Sequence, residues 1–153
     1  MSNQNLKFKI LDFGFILIGL LLSACSSNSG SSDTSSVKFK QYYVKGEELY
    51  LNHCSNCHQA TGTGLGLVFP PLNKSDYMDN NLNSVLCLMK YGSKGNLTVN
   101  GKKFVQPMPG VATLTDLEIA EIATYIYNTW ENKRGIVDVT EVSKAMQACP
   151  TSN

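Results

Sequence analysis

Long hydrophobic runs are scarce in this 153-residue chain. The longest is "FGFILIGLLL", residues 13–22, and a helix needs roughly 20 apolar residues to cross a bilayer. An excess of either charge is missing too: 13 Lys and Arg stand against 12 Asp and Glu. Nucleic-acid binders carry a basic surplus, so that class of function is disfavoured. There are only two histidines, His53 and His58. The chain has neither a second C-x-x-C nor an H-x-x-x-H, and so lacks the second ligand pair that a structural zinc site requires. No alternating strand and helix patterns surround the single C-x-x-C, which removes the α/β frame of a thioredoxin-type dithiol. No internal repeat is visible.

What is present begins with an export signature. Lys7 and Lys9 precede the ten-residue apolar run, as the positive region precedes the hydrophobic region of a signal peptide. "LLSAC", Leu21 to Cys25, resembles the lipobox of bacterial lipoproteins. The resemblance implies a signal peptide over residues 1–24, cleavage before Cys25 and acylation of Cys25, with anchoring through more than one acyl chain. An ordinary secretory signal is the alternative, and it also exports the chain. "SSNSGSSDTSS", Ser26 to Ser36, has no apolar residue and reads as a flexible tether. Its ends would lie about 20 Å apart. We therefore divide the chain into a signal peptide (1–24), a Ser-rich tether (25–40), a folded domain (41–133) and a C-terminal extension (134–153). The expected location is the periplasmic face of a bacterial membrane, outer or inner. Cleavage removes Lys7, Lys9 and Asp12 and leaves basic and acidic residues equal in number.

The chemistry concentrates in "HCSNCHQATGTG", His53 to Gly64. Cys54, Cys57 and His58 form C-x-x-C-H, the pattern of c-type haem attachment. Two thiols three positions apart on a tight turn can each add to one of the two haem vinyl groups. The adjacent histidine then falls under the iron, where histidine is a usual axial ligand. His53 sits on the wrong side of Cys54 for the opposite haem face and reads as a surface residue.

The flanks of this motif resemble the class I, mono-haem cytochrome c family from about Tyr42 to Glu131. The resembling segments are "YYVKGEELYLNHC" before it, with Gly46 and Tyr50 eight and four residues ahead of Cys54, and "GTGLGLVFPPLNKSDYM" after it. The resemblance implies an all-α fold, three or more helices around one covalently bound haem c, with a small β-hairpin. It further implies that the Pro70 carbonyl accepts a hydrogen bond from His58, that a helix carrying Gly46 and Tyr50 crosses a later one at Tyr125, and that the sixth iron ligand comes after the hairpin. Met108 stands at that position in "QPMPG", where Pro107 and Pro109 stiffen the backbone. Met89 reads as helix core and Met78 as surface or haem-edge packing.

Local signals complete the expected architecture. Leu82 to Gly92 has helical spacing with a glycine stop. Asn100-Gly101 between β-favouring runs predicts a type I′ hairpin. Thr115 and Glu118 predict a capping box opening a helix whose buried face takes Leu117, Ala120, Ile122, Tyr125, Ile126 and Trp130. "VTEVSKAMQ" in the tail reads as one or two further helix turns. Cys87 and Cys149 remain as an even pair, and a disulfide between them is permitted in an exported chain.

Two filled axial positions leave no open iron site, and the chain shows no acid–base machinery. The functional expectation is a membrane-tethered carrier of single electrons, not an enzyme. Its partners would be redox proteins: a terminal oxidase, a reductase or a dehydrogenase. The alternatives are a haem subunit fixed in an oxidoreductase complex, and an open-iron sensor or peroxidase.

Overall fold

The computed structural model describes residues 31–150, with side chains from residue 36. The expected signal peptide and Cys25 lie outside that range. The described residues form six helices and two small antiparallel ladders. In chain order the elements are α1 (Ser31–His53), α2 (Ser55–His58), α3 (Asp76–Asn80), α4 (Leu82–Tyr91), β1 (Gly92–Ser93), β2 (Leu97–Val99), β3 (Lys102–Phe104), β4 (Met108–Pro109), α5 (Asp116–Ile126) and α6 (Val139–Ala148). The arrangement is mostly helical with a minor hairpin, as the sequence implied.

Helix α1 corrects the tether. From Ser31 onward the polar stretch is helical. Composition alone sees a run of serines, whereas the helix is fixed by the residues C-terminal to that run. Tyr42 is buried, Phe39 packs on Tyr43 with ring centroids 6.0 Å apart, and the Lys38 ammonium pairs with the Asp138 carboxylate at the start of α6.

The α1–α5 crossing organises the core. Gly46 lies against the α5 backbone so closely that a Cβ there would stand 2.0 Å from the Glu121 carbonyl oxygen and 2.9 Å from Tyr125 Cβ. Around this point Tyr50 meets Tyr125 at 5.4 Å and Trp130 at 5.6 Å between ring centroids, in the tilted and edge-on arrangements that aromatic pairs prefer. Helix α5 opens with the reciprocal Thr115–Glu118 capping box. Its buried face differs from the expected one in detail. Leu117 is exposed, while Ile119, Ala120, Ile122, Ala123, Tyr125 and Ile126 are buried. The helix is covered on more than one side, because α6 packs on it as well as α1 and α4.

That extra cover comes from the tail. The expected turn or two is a ten-residue helix, capped by Asp138 accepting from the Thr140 amide. Val137 and Val142 are fully buried. Thr124 Oγ1 both accepts from the Val137 amide at 3.0 Å and donates to its carbonyl at 3.3 Å. The tail therefore contributes Val137, Val142 and Ala145 to the core. A disulfide between Cys87 and Cys149, with Cα atoms 5.7 Å apart, ties the end of α6 to α4.

The crossing makes a sharp prediction. Alanine is favoured over glycine in a helix interior by about 1 kcal/mol, yet at position 46 its methyl would strike immovable backbone. Overpacking of this kind costs about 1–3 kcal/mol. Gly46→Ala should therefore lower the denaturant midpoint of unfolding, and a variant as stable as wild type would show that α1 and α5 do not pack this closely.

Candidate cofactor site

The site is assembled from three chain segments. The first is the turn between α1 and α2. The Cys54 amide donates to the Tyr50 carbonyl at 2.8 Å, and the amides of Cys57 and His58 both donate to the Cys54 carbonyl, at 3.2 and 3.0 Å. This wraps C-x-x-C-H into a single helical turn, with both thiols free and half-buried and His58 buried. His53 is exposed.

The second segment orients the imidazole. His58 Nδ1 lies 3.0 Å from the Pro70 carbonyl oxygen. A carbonyl can only accept, so Nδ1 carries the proton and the lone pair resides on Nε2, ready for a metal. Burial lowers the His58 pKa and outweighs the proton-retaining bond to Pro70, which keeps the ring neutral. Burial, helped by the neighbouring Cys57, pushes the Cys54 thiol up to about 11, so Cys54 is a protonated thiol at neutral pH.

The loop carrying Pro70 is braced at both ends. At its start, Tyr50 OH donates to the Gln59 carbonyl at 2.6 Å and Trp130 Nε1 to the Ala60 carbonyl at 3.1 Å. At its end, Asn132 Nδ2 donates to the Leu72 carbonyl at 3.2 Å and its Oδ1 accepts from the Lys74 amide at 3.4 Å. Between them, the Leu72 and Asn73 amides share the Gly62 carbonyl. Sequence reading placed Trp130 in the core and missed Asn132. The bonding groups were present in the sequence, but their partners lie some 60 to 70 residues away.

The third segment carries Met108. Strand β4 pairs with β1 in register Gly92↔Pro109 and Ser93↔Met108, and the Val111 amide donates to the Met89 carbonyl at 2.9 Å. Gly92, at φ +77°, permits this: a Cβ there would sit 2.4 Å from the Met108 carbonyl oxygen. The methionine loop is thus held by a backbone ladder to the end of α4, in addition to its flanking prolines.

His58 and Met108 line one cavity, together with Cys54 and Pro70. Its remaining wall is apolar and includes Tyr50, Met78, Val85, Met89, Ile122 and Ile126. Met78 is buried, not at the surface, and Met89 serves core and cavity at once. The hairpin closes one side through Leu97 and Val99, a role the sequence reading did not assign. The hairpin is itself latched, since the Asn100 amide donates to Asp76 Oδ1 at 2.6 Å and the Asp76 amide to Asn100 Oδ1 at 3.0 Å.

This donor set suits a large apolar disc with a metal at its centre. One neutral imidazole nitrogen, one thioether and the Cys54 thiol border this uncharged cavity, and Cys57 borders an adjoining one with the same His58 and Met108. Among the described residues no cluster of three or more His, Cys, Asp or Glu exists that could hold a bare ion. The family profile for cytochrome c matches residues 43–130, which span every segment just described. The chain belongs to the cytochrome c family.

Its relatives agree. Cytochrome c-552 of Thermus thermophilus is 28% identical over 95 residues, covering 60% of this chain and 72% of that protein. The cytochrome c subunit of the quinone alcohol dehydrogenase of Gluconobacter oxydans is 29% identical over 102 residues, 65% of this chain. The corresponding subunit of Komagataeibacter europaeus is 30% identical over 105 residues, 66% of this chain. The match covers only 21% and 22% of those two longer subunits. As a cytochrome c, this protein takes one covalently bound haem c and transfers electrons, as a carrier or as a subunit of an oxidoreductase.

Proposed function

We propose that this cytochrome c is a membrane-tethered shuttle that moves single electrons between redox proteins of a respiratory chain. The observation that carries the reading is the shared cavity bordered by His58 and Met108. Cys54 and Cys57 would hold the haem by thioether bonds, and His58 and Met108 would ligate its iron. When bound, haem supplies a one-electron iron couple.

The chain's own residues determine what that couple can do. The Pro70 carbonyl fixes the His58 tautomer and raises the ring's basicity. The Met108 thioether is a neutral, soft donor, and His/Met ligation raises the haem potential. The apolar wall of α1, α4 and α5 side chains excludes water from the site. With His58 and Met108 both given over to holding the iron, no side of it would be left open to substrate, and the residues around the cavity include no acid–base pair. These features favour electron transfer over an open-iron sensor or peroxidase.

The tether is part of the proposal. "LLSAC" supports acylation of Cys25, which would hold the domain at the periplasmic face of a bacterial membrane, near a terminal oxidase, a reductase or a dehydrogenase as donor or acceptor. A second reading, a haem subunit fixed in a dehydrogenase complex, is favoured by the similarity to the alcohol dehydrogenase subunits. Helix α6 and its disulfide lie beyond the matched residues 43–130 or reach beyond them, and would be available to such a complex as a docking element.

Ligand replacement tests the site. Ferric wild type should show the weak near-infrared sulfur-to-iron band, and Met108→Ala should lose it, bind carbon monoxide in the ferrous form and fall in potential. A wild type that lacks the band and binds carbon monoxide readily would transfer the protein to the open-iron class. For the tether, mass spectrometry should find acyl groups on Cys25, and Cys25→Ala should move the haem from the membrane fraction to the soluble fraction. An unchanged distribution would remove the anchor from the account.

A further inference from the structure

Helix α1 carries an outer line of apolar side chains. Val37, Val44 and Leu51 are 53%, 57% and 46% exposed. Single apolar residues on a surface need no explanation. These three recur at every seventh position of one helix, so they lie along one line that drifts by about 20° per repeat and spans about 21 Å. The line runs on the side of α1 away from Gly46, Leu49 and Tyr50, which are buried against the core. None of its members lines the cavities around His58 and Met108.

The polar residues beside the line are ordered by charge. At about 100° per residue, Lys40 and Glu47 fall on one flank of Val44, and Gln41 and Glu48 on the other. All four are exposed. Lys40 and Glu47 stand about 10 Å apart along the axis, too far to pair within one helix. Neither enters an ion pair among the described residues.

We infer that this line is a contact between two copies of the chain, packed antiparallel through α1 about a two-fold axis at Val44. Such a contact is isologous, the same patch meeting itself. Val37 of one copy meets Leu51 of the other, and Val44 meets its own equivalent. In an antiparallel pair each flank faces the same flank of the second copy. Lys40 therefore lies against Glu47 of the second copy, and Glu47 against its Lys40, while Gln41 lies against Glu48. Parallel packing would bring opposite flanks together and set Glu47 against Glu48, a like-charge clash. The charges thus select both the occupant and its direction. A seven-residue repeat is also the period at which two helices stay in contact along their length. An anionic membrane would instead meet Glu47 and Glu48 beside the line and be repelled. The patch is small, so pairing is weak and depends on concentration. Because the line lies opposite Tyr50, pairing leaves each copy's cofactor site uncovered.

Sedimentation velocity of the haem-loaded full chain over a range of concentrations reads the pairing. Every sample carries Cys25→Ala, so that no acyl chain can drive association. The expected result is a reversible equilibrium of monomer and dimer. Val44→Glu, which sets two carboxylates together at the two-fold axis, should leave only monomer. Lys40→Glu should weaken the dimer about tenfold. Lys40→Glu combined with Glu47→Lys should restore it, because the exchange rebuilds the same pairs between copies. Val44→Cys should cross-link two copies on mild oxidation. Val105→Glu, at an exposed apolar position outside α1, should change nothing. A chain that stays monomeric at every concentration would overturn the inference. So would a dimer that survives Val44→Glu, or a double exchange that fails to restore pairing. A monomer that binds phosphatidylglycerol vesicles and loses that binding in Val44→Glu would also overturn it, since the line would then be a membrane contact.

Discussion

The hydrogen bond between His58 Nδ1 and the Pro70 carbonyl, 3.0 Å long, is the constraint on which the site depends. It decides which imidazole nitrogen is free, and the direction in which that nitrogen points. A histidine directly after C-x-x-C has the right chemistry but no fixed orientation of its own. The orientation comes from a loop that begins and ends on other elements, through Tyr50, Trp130 and Asn132. The aromatic crossing of α1 and α5 therefore does more than fill a core. Tyr50 and Trp130 pack there by their rings and hold the Pro70 loop by their polar ends, so packing and ligand geometry are coupled through the same two side chains.

The opposite side of the cavity is built by a different device. Met108 is held by the β1–β4 ladder and by the bond from Val111 to the end of α4. Helix α4 is in turn tied to α6 by the Cys87–Cys149 disulfide. The segment outside the family match thus braces the helix that braces the methionine loop.

Local signals were legible in the sequence and long-range ones were not. C-x-x-C-H, the Thr115–Glu118 box, the Asn100-Gly101 hairpin and the Gly92 stop each depend on neighbours within a few residues, and each has its expected form in the structure. The close approach at Gly46 was legible only through family resemblance, since a lone glycine in a helix says nothing of its partner. Leu117 and Ile119 show the limit of periodicity. The pattern has more than one apolar face, and which of them is covered depends on α6, a helix that composition reduced to a turn or two. The serine run failed in the opposite way. Its polarity suggested a tether, but from Ser31 onward it belongs to a helix held by the burial of Tyr42 and by the pairing of Lys38 with Asp138, 100 residues on. The β1–β4 ladder is two residues long and leaves no pattern to read.

The central claim is that Cys54 and Cys57 hold a haem covalently against His58. The intact mass of the denatured, reduced chain tests it most directly. The account predicts a species heavier than the polypeptide by one haem, with the added mass absent when both cysteines are replaced by serine. A denatured chain at the mass of the bare polypeptide, with its haem released into acidified solvent, would contradict it.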